Sequence, residues 1–180
     1  GDTLKFVAGP QTDYFRSPHG SVVNNSAVIF TEVDNTKPFT FTAKVQPEFT
    51  ETGTYSAGVI YAYENDTHCQ KLCFEQDEYG DHRVVSVRTL DTSDDNNHQA
   101  ITAPYVYMRL SSDGTTLGSY FSEDGKIWRM ARLYKNDFPE KLLIGISSQS
   151  PKDNEHTCLF TEVSLTDKPV ADFRKGNIAE

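Results

Sequence analysis

The stretch from Tyr105 to Tyr134 constrains the fold more than any other part of the sequence. It contains three alternating apolar runs, separated by the dipeptides Asp113-Gly114 and Asp124-Gly125. Asp and Gly both tolerate the positive φ that tight hairpin turns need, so Asp-Gly between alternating runs predicts a β-hairpin. Two such turns in succession predict a three-stranded antiparallel meander.

Period-two alternation recurs along the rest of the chain. The cleanest case is Pro38–Val45, which places four apolar side chains on one face. No helical period persists for about 11 residues, and short strands recur about a dozen times at fairly even spacing. The residues therefore predict an all-β protein, an antiparallel sandwich or jelly roll. We expect a single domain over residues 1–166 and a polar C-terminal tail over residues 167–180.

The charge of the chain limits its partners. Its 17 basic and 26 acidic residues give a net charge of -9. Phosphate groups repel such a chain, so we expect no nucleic-acid partner and no attachment to an anionic membrane surface. The sequence has no apolar run of about 18 residues, so we also expect no membrane insertion. The oligomeric state stays open.

The three cysteines do not predict a disulfide framework. Cys69 and Cys73 lie about 13 Å apart on one predicted strand, too far to bridge, whereas a bridge from Cys158 to either of them stays open. The histidines lack zinc-site spacing. The acidic stretch Asp91–Asn97 does not match an EF-hand, and a solvated polar loop is the better interpretation. We therefore expect no cofactor and no metal.

Composition gives two alternatives for localisation. Few cysteines, many Tyr, Asn, Asp, Ser and Thr residues, and a start at Gly1 rather than Met favour an exported protein, periplasmic or extracellular. The odd number of thiols favours a cytoplasmic protein instead.

Strand parity gathers polar and aromatic residues on one face of a predicted sheet. In the meander, Val106, Met108 and Leu110 face the core, and the residues between them face away. We expect the strands at His68–Glu75 and Lys141–Gln149 to share this sheet. The candidate ligand-binding residues on its outer face are Lys71, Glu75, Tyr107, Arg109, Tyr120 and Gln149. Aromatic rings that stack on sugars, beside charged and amide groups that meet hydroxyls, suit a carbohydrate.

Simpler interpretations stand beside this one. The face is otherwise an ordinary solvated sheet face, on which Glu75 pairs with Lys71 or Arg109. Trp128, the only tryptophan, follows an Asp-Gly turn and is predicted to anchor the core. Glu32 and Asp34 share a strand face, as paired hydrolase carboxylates would, but a strand that ends in a turn explains them better.

The sequence resembles the DUF1349 family, also called regulation of enolase protein 1-like, from roughly Asp13 to Leu165. The segments that carry the resemblance are Asp13–Arg16, Tyr55–Tyr61, Lys71–Glu75, Val84–Thr89, Ser93–Asn96, Met108–Leu110, Tyr120–Trp128, Arg132-Leu133 and Gln149–Pro151. The resemblance implies a concanavalin A-like jelly roll of two curved antiparallel sheets, one convex and one concave. It implies no established catalytic activity. The glucanase motif Glu-x-Asp-x-x-Glu of that fold is incomplete, because Lys37 occupies the position of the second Glu.

We therefore expect a non-catalytic binding module that takes a glycan on the concave sheet face. One alternative is a glycan-active hydrolase that uses Glu75. The sequence therefore leaves enzymatic activity undecided, although it favours a protein without such activity. Another alternative, from the resemblance, is a protein that regulates a metabolic enzyme by binding it.

Overall fold

The computed structural model describes residues 2–179, and within them it contains fourteen strands and no helix. The strands are β1 (Leu4–Ala8), β2 (Tyr14–Arg16), β3 (Val22–Asn24), β4 (Ile29–Asp34), β5 (Phe39–Pro47), β6 (Ala57–Asn65), β7 (His68–Gln76), β8 (His82–Leu90), β9 (Thr92–Ala100), β10 (Val106–Ser112), β11 (Thr116–Ser122), β12 (Arg129–Lys135), β13 (Lys141–Gln149) and β14 (His156–Thr166). The same part of the chain holds no helix with the length and apolar character needed to cross a membrane.

Twelve of the strands form two six-stranded antiparallel sheets. The order in the first sheet is β1-β14-β5-β10-β11-β12, and in the second sheet it is β4-β13-β6-β7-β8-β9. Strands β2 and β3 form a separate hairpin. The predicted all-β jelly-roll sandwich of antiparallel sheets is therefore confirmed.

The main hydrophobic core lies between the two sheets. Strand β5 contributes the four apolar side chains of its predicted face, and β10 contributes Val106, Met108 and Leu110. Leu72 and Phe74 of β7 pack against them from the second sheet. A smaller apolar cluster lies on the other side of the second sheet, beneath the β2–β3 hairpin. Period-two alternation thus assigned the inward face of these strands correctly.

The meander forms as predicted, with β10, β11 and β12 in succession. At the first turn, Gly114 has a φ of 92°, and the Asp113 carboxylate accepts hydrogen bonds from backbone amides at 2.7 and 2.9 Å. At the second turn, Gly125 has a φ of 73°, and Asp124 accepts two amide hydrogen bonds of 2.8 Å. Each Asp therefore satisfies the backbone donors that its turn leaves free.

The predicted polar loop at Asp91–Asn97 is wrong. Residues of this stretch belong to β9, which pairs with β8 along the edge of the second sheet. An edge strand has a neighbour on one side only, and most β9 side chains are exposed. Hydrogen bonds to β8 form the strand there without an apolar face, so polar composition is a poor guide at a sheet edge.

Trp128 is not the core anchor that its position after a turn predicts. It precedes β12 and is half-buried on the outer face of the first sheet. The Arg109 guanidinium carbon lies 3.6 Å from the centroid of its ring, which is cation–π geometry. Arg109 lies on β10 with the parity opposite to the core residues, so its stacking partner also lies outside the sandwich.

The C-terminal segment from residue 167 to residue 179 lies against the outer face of the first sheet. Thr40 donates a 2.6 Å hydrogen bond to the Lys168 carbonyl, and the Val170 amide donates one of 2.9 Å to Ser111 Oγ. Val170 is buried. We call residues 167–179 the tail.

All three cysteines are free and buried. Cys158 lies in the core between the sheets, whereas Cys73 lies in the apolar cluster on the other side of the second sheet. Cys69 has the same parity on β7 as Cys73. The second sheet therefore separates Cys158 from the other two thiols.

Candidate functional site

A cleft of about 910 Å³ opens on the outer face of the second sheet. Its floor comes from β7 and β8, β9 forms one side, and the β2–β3 hairpin with the residues before it forms another. Its polar lining residues include Asp13, Tyr55, Lys71, Glu75, Glu78, Asp95, Gln149 and Lys152. We call this space the cleft.

Strand parity explains why buried polar residues line the cleft. On β7, Leu72 and Phe74 point into the core, so Lys71 and Glu75 point to the opposite side. Gln149 ends β13 with the same outward parity. The hairpin and the neighbouring strands then cover this side of the sheet, which is why these polar side chains are buried although they face away from the core.

Lys71 is 2% exposed and holds two partners at once. Its Nζ donates to Asp13 Oδ1 at 2.7 Å and to Gln149 Oε1 at 3.1 Å. Gln149 Nε2 in turn donates to the Tyr55 carbonyl at 3.0 Å. Burial alone would lower the pKa of Lys71, but the Asp13 carboxylate overcomes this effect and holds the pKa well above its usual value. Lys71 is thus a fixed cation, not a nucleophile.

Glu75 has the opposite character. It is 8% exposed and lines the cleft, and its carboxyl has no hydrogen bond or ion pair with any group in residues 2–179. Burial is the largest cause of a pKa of about 8, with the carboxylates of Asp13 and Asp95 adding to it and Lys71 opposing it. Glu75 is therefore mostly protonated at neutral pH, when it can both donate and accept a hydrogen bond.

The predicted ion pair of Glu75 with Lys71 or Arg109 is wrong. Lys71 binds Asp13 instead, and Arg109 lies on the other sheet. A buried carboxyl without a partner is costly, and such groups concentrate at functional sites. The ordinary solvated sheet face does not describe this position.

The structure brings together only half of the predicted ligand-binding set. Lys71, Glu75 and Gln149 line the cleft on the second sheet. The other three residues belong to the outer face of the first sheet, on the far side of the sandwich: Tyr107, Arg109 and Tyr120. The prediction that all six share one face is wrong, because β10 and β11 pair with β5 and β12 rather than with β7.

The three residues on the first sheet hold neighbouring segments. Arg109 donates to the Gly176 carbonyl at 2.6 Å and to Thr42 Oγ1 at 2.9 Å. The Tyr120 hydroxyl donates to the Phe173 carbonyl at 2.7 Å. The tail therefore covers Arg109 and Tyr120, and Tyr107 reaches Glu162 at 3.2 Å.

Five of the polar lining residues are not among the predicted ligand-binding residues: Asp13, Tyr55, Glu78, Asp95 and Lys152. Asp13 stands in a segment that resembles the family, which was the available signal. Asp95 was assigned to the polar stretch misread as a loop. Tyr55 contributes a backbone carbonyl and has a φ of 63°, unusual for a residue other than Gly, and no local sequence pattern indicates either feature.

Two alternatives to the cleft are a metal site and the Glu32–Asp34 pair, which lines a second pocket of about 500 Å³. Within residues 2–179, no group of three or more His, Cys, Asp and Glu residues is arranged to hold a metal ion. Asp34 accepts hydrogen bonds from the Thr36 side chain and amide and pairs with Lys37 at 3.0 Å. These contacts lower the pKa of Asp34 to about 2, as expected of a carboxylate that closes a turn.

Several solved structures share this fold. A functionally unknown protein from Saccharomyces cerevisiae is 23% identical with a TM-score of 0.82, over 92% of this chain and 88% of that one. The GH43 protein BlXynB from Bacillus licheniformis is 13% identical with a TM-score of 0.70, over 92% of this chain and 33% of that one. A xylan β-1,4-xylosidase from Bacillus halodurans C-125 is also 13% identical with a TM-score of 0.70, over 91% and 32%. The chain thus spans about a third of each of these two Bacillus proteins.

No protein of curated function matches the sequence. A family model does match, and it covers residues 1–168, nearly the whole chain. Its description is a protein of unknown function. The earlier resemblance, which ran from roughly Asp13 to Leu165, is confirmed over a slightly longer range. On this match, the chain belongs to the DUF1349 family.

Proposed function

We propose that the protein binds a carbohydrate in the cleft on the second sheet. The observation that carries the proposal is the Glu75 carboxyl. Its residue is 8% exposed, and the carboxyl faces the cleft near Lys71 and Gln149 without a partner in residues 2–179. A ligand that hydrogen-bonds to this carboxyl would offset the cost of its burial.

The free hydrogen-bonding capacity of the cleft floor suits hydroxyl groups. Lys71 has three donors, of which Asp13 and Gln149 take two. Gln149 has a second amide proton besides the one that it gives to Tyr55. Glu75 offers acceptors and, when protonated, a donor. A pair of neighbouring sugar hydroxyls can accept from Lys71 or Gln149 and donate to Glu75 at the same time.

The size and lining of the cleft also support a glycan. A volume of about 910 Å³ lies within the ~300–1,000 Å³ typical of small-ligand sites. Tyr55 and Phe15 add aromatic surface to its walls, and aromatic rings provide the apolar faces on which sugar rings pack. The similar fold within a Bacillus xylan β-1,4-xylosidase supports the same ligand class.

A glycan array tests the proposal, followed by calorimetric titration of any sugar that binds. We expect Glu75→Ala and Gln149→Ala to weaken binding at least ~10-fold, since each removes a hydrogen bond to a desolvated hydroxyl. Tyr107→Ala is the matched control, because Tyr107 lies on the other sheet, and it should bind as the wild type does. Equal loss in all three variants would contradict the assignment of the site to the cleft.

Glycan hydrolysis is the second candidate, favoured by one observation. Burial raises the pKa of Glu75 to about 8, so the group is mostly protonated at neutral pH, and the carboxylates of Asp13, Glu78 and Asp95 line the same cleft. In such a reaction Glu75 would give its proton to the glycosidic oxygen, while a second carboxylate takes a proton from the attacking water. New reducing ends from a bound polysaccharide, absent with Glu75→Gln, would establish it. Binding without new reducing ends would reject it.

Regulation of a metabolic enzyme through a protein interaction stays a prediction, and so does the localisation of the chain.

A further inference from the structure

We infer that the cleft selects uncharged glycans and discriminates against glycans that carry carboxylate or sulfate groups. The inference rests on the proposed function and names its ligand class. Two features of the cleft carry it: the balance of charges along its walls, and the internal neutralisation of its one buried cation.

Acidic side chains outnumber basic ones along the cleft. The acidic lining residues are Asp13, Glu75, Glu78 and Asp95, and the basic ones are Lys71 and Lys152. With Glu75 protonated, the remaining formal charges are three negative and two positive, so the lining carries a small net negative charge. The chain as a whole has a net charge of -9, which adds a long-range field of the same sign.

The buried lysine does not provide a free anion site. Lys71 lies 2.7 Å from the Asp13 carboxylate, so a sulfate or carboxylate that approached Lys71 would also approach Asp13. Lys152 is exposed and strongly hydrated, and an exposed pair adds little affinity. Arg83, opposite Glu75 on β8, is held by Asp77 at 2.7 Å and is not part of the lining.

The cleft is more than a group of acidic residues, because its floor holds a polar side chain that is aimed into it and is without a partner in residues 2–179. Glu75 is more than nine-tenths buried. A hydroxyl can donate to this carboxyl in either protonation state and can accept from it when it is protonated. A ligand carboxylate can only accept, so it loses this partner whenever Glu75 ionises, and it meets the negative charges of Asp95 and Glu78.

The test uses oligosaccharides of glucose, galactose, mannose and xylose, each beside a carboxylated or sulfated form of the same backbone. Calorimetric titration at low salt measures the affinity for the uncharged and the anionic form of each backbone. We expect the uncharged form to bind at least ~10-fold more tightly. Because the discrimination is electrostatic, raising the salt concentration should reduce the ratio of the affinity for the uncharged form to the affinity for the anionic form.

The variant Glu78→Gln/Asp95→Asn separates charge from shape. Both substitutions keep side-chain size and remove a negative charge from the cleft wall. The affinity of the anionic form should therefore rise relative to that of the uncharged form of the same backbone. Equal or tighter binding of the anionic form by the wild type would overturn this inference and leave the proposed carbohydrate binding intact. Binding of neither form of any backbone would overturn both.

Discussion

At the scale of single residues, Asp13 affects the charge states of two buried residues on the cleft floor. Lys71 and Glu75 lie four positions apart on the same face of β7, and both are buried. Asp13 contacts Lys71 and keeps it charged, and it adds to the negative field that keeps Glu75 protonated. The charge of Lys71 lowers the pKa of Glu75, but burial and the carboxylates of Asp13 and Asp95 outweigh this effect. One residue outside the sheets thus keeps Lys71 charged and adds to the effect of burial on Glu75.

The raised pKa of Glu75 makes stability depend on pH. The group titrates near its ordinary value of 4.5 when the chain is unfolded and at about 8 when it is folded. Between these values the folded protein binds the extra proton. The contribution of Glu75 to stability is therefore greatest below pH 4.5 and falls by up to about 1.4 kcal/mol per pH unit as pH rises to 8. Glu75→Gln removes this penalty. The change in the free energy of unfolding that the substitution causes should therefore be more stabilising at pH 8 than at pH 5, by roughly 2–4 kcal/mol.

Urea unfolding of the wild type and Glu75→Gln at several pH values between 5 and 8 measures this effect. The control is Glu123→Gln, which changes an exposed carboxylate in the turn after β11. We expect the control to keep the pH dependence of the wild type. A Glu75→Gln variant whose relative stability does not change with pH would show that Glu75 titrates normally in the folded protein.

Lys71→Met tests the buried ion pair. The substitution leaves the largely buried Asp13 carboxylate without its cation, and removing one partner of a buried pair costs about 3–5 kcal/mol. The matched control is Lys37→Met, whose partner Asp34 is exposed, and it should change stability by less than about 1 kcal/mol. The measurement is the free energy of unfolding in urea at pH 7. Similar values for the two variants would mean that Lys71 contributes no more than a surface pair.

At the scale of elements, sequence reasoning identified strands well where one face is buried. The β10–β12 meander and the inward faces of β5, β7 and β13 follow from alternation and turn residues alone. Strand β9 did not, because its backbone pairing with β8, and not its side chains, forms it. Alternation reports a buried face, and an edge strand with two exposed faces carries no such pattern.

Only half of the predicted ligand-binding residues lie in the cleft, for a related reason. Parity shows that Glu75 and Arg109 both point away from the core, but it does not show on which sheet each strand lies. Strand order in a jelly roll depends on connections between distant segments, and β7 and β10 belong to different sheets. The role of Asp13 was also out of reach, because it depends on a hairpin that folds over a sheet formed much later in the chain.

The tail is an element whose docking a single substitution can test. Gly176 has a φ of 70°, and a Cβ at this position would collide with the Tyr120 ring. Gly176→Ala should therefore lower the free energy of unfolding by about 2–4 kcal/mol, from backbone strain together with the lost tail contacts. Because the Gly176 carbonyl accepts from Arg109, which stacks on Trp128, acrylamide quenching of the single tryptophan should also increase.

Gly20→Ala is the matched control for the tail. Gly20 also has a positive φ, of 98°, but no atom lies within 4 Å of its added Cβ. The substitution should lower the free energy of unfolding by about 1–2 kcal/mol, from backbone strain alone, and leave the quenching of Trp128 unchanged. If both variants lose equal stability and neither changes the quenching, tail docking contributes nothing beyond the conformation of its glycine.

At the scale of the whole molecule, the second sheet divides the apolar interior into two compartments. One lies between the sheets, and the other lies beneath the β2–β3 hairpin next to the cleft. Arg132 of β12 spans the sheets at one end by donating to Ser86 Oγ at 2.9 Å and to Asp94 Oδ1 at 3.0 Å. The cleft therefore rests on a sheet that is packed on both sides, which keeps its floor rigid.

The same division determines what the three thiols can do. Cys158 and Cys73 lie on opposite sides of the second sheet. Burial raises the pKa of both thiols well above the usual value, and it raises the pKa of Cys69 to a lesser degree. The thiolate is the reactive species, so we expect the native protein to react with Ellman's reagent by less than ~0.1 thiol per chain within minutes, and the urea-unfolded protein to react at all three. The melting temperature should be the same with and without a reductant. A fast native reaction would show that a cysteine is accessible, and a melting temperature lowered by the reductant would reveal a disulfide that this arrangement of the sheets forbids.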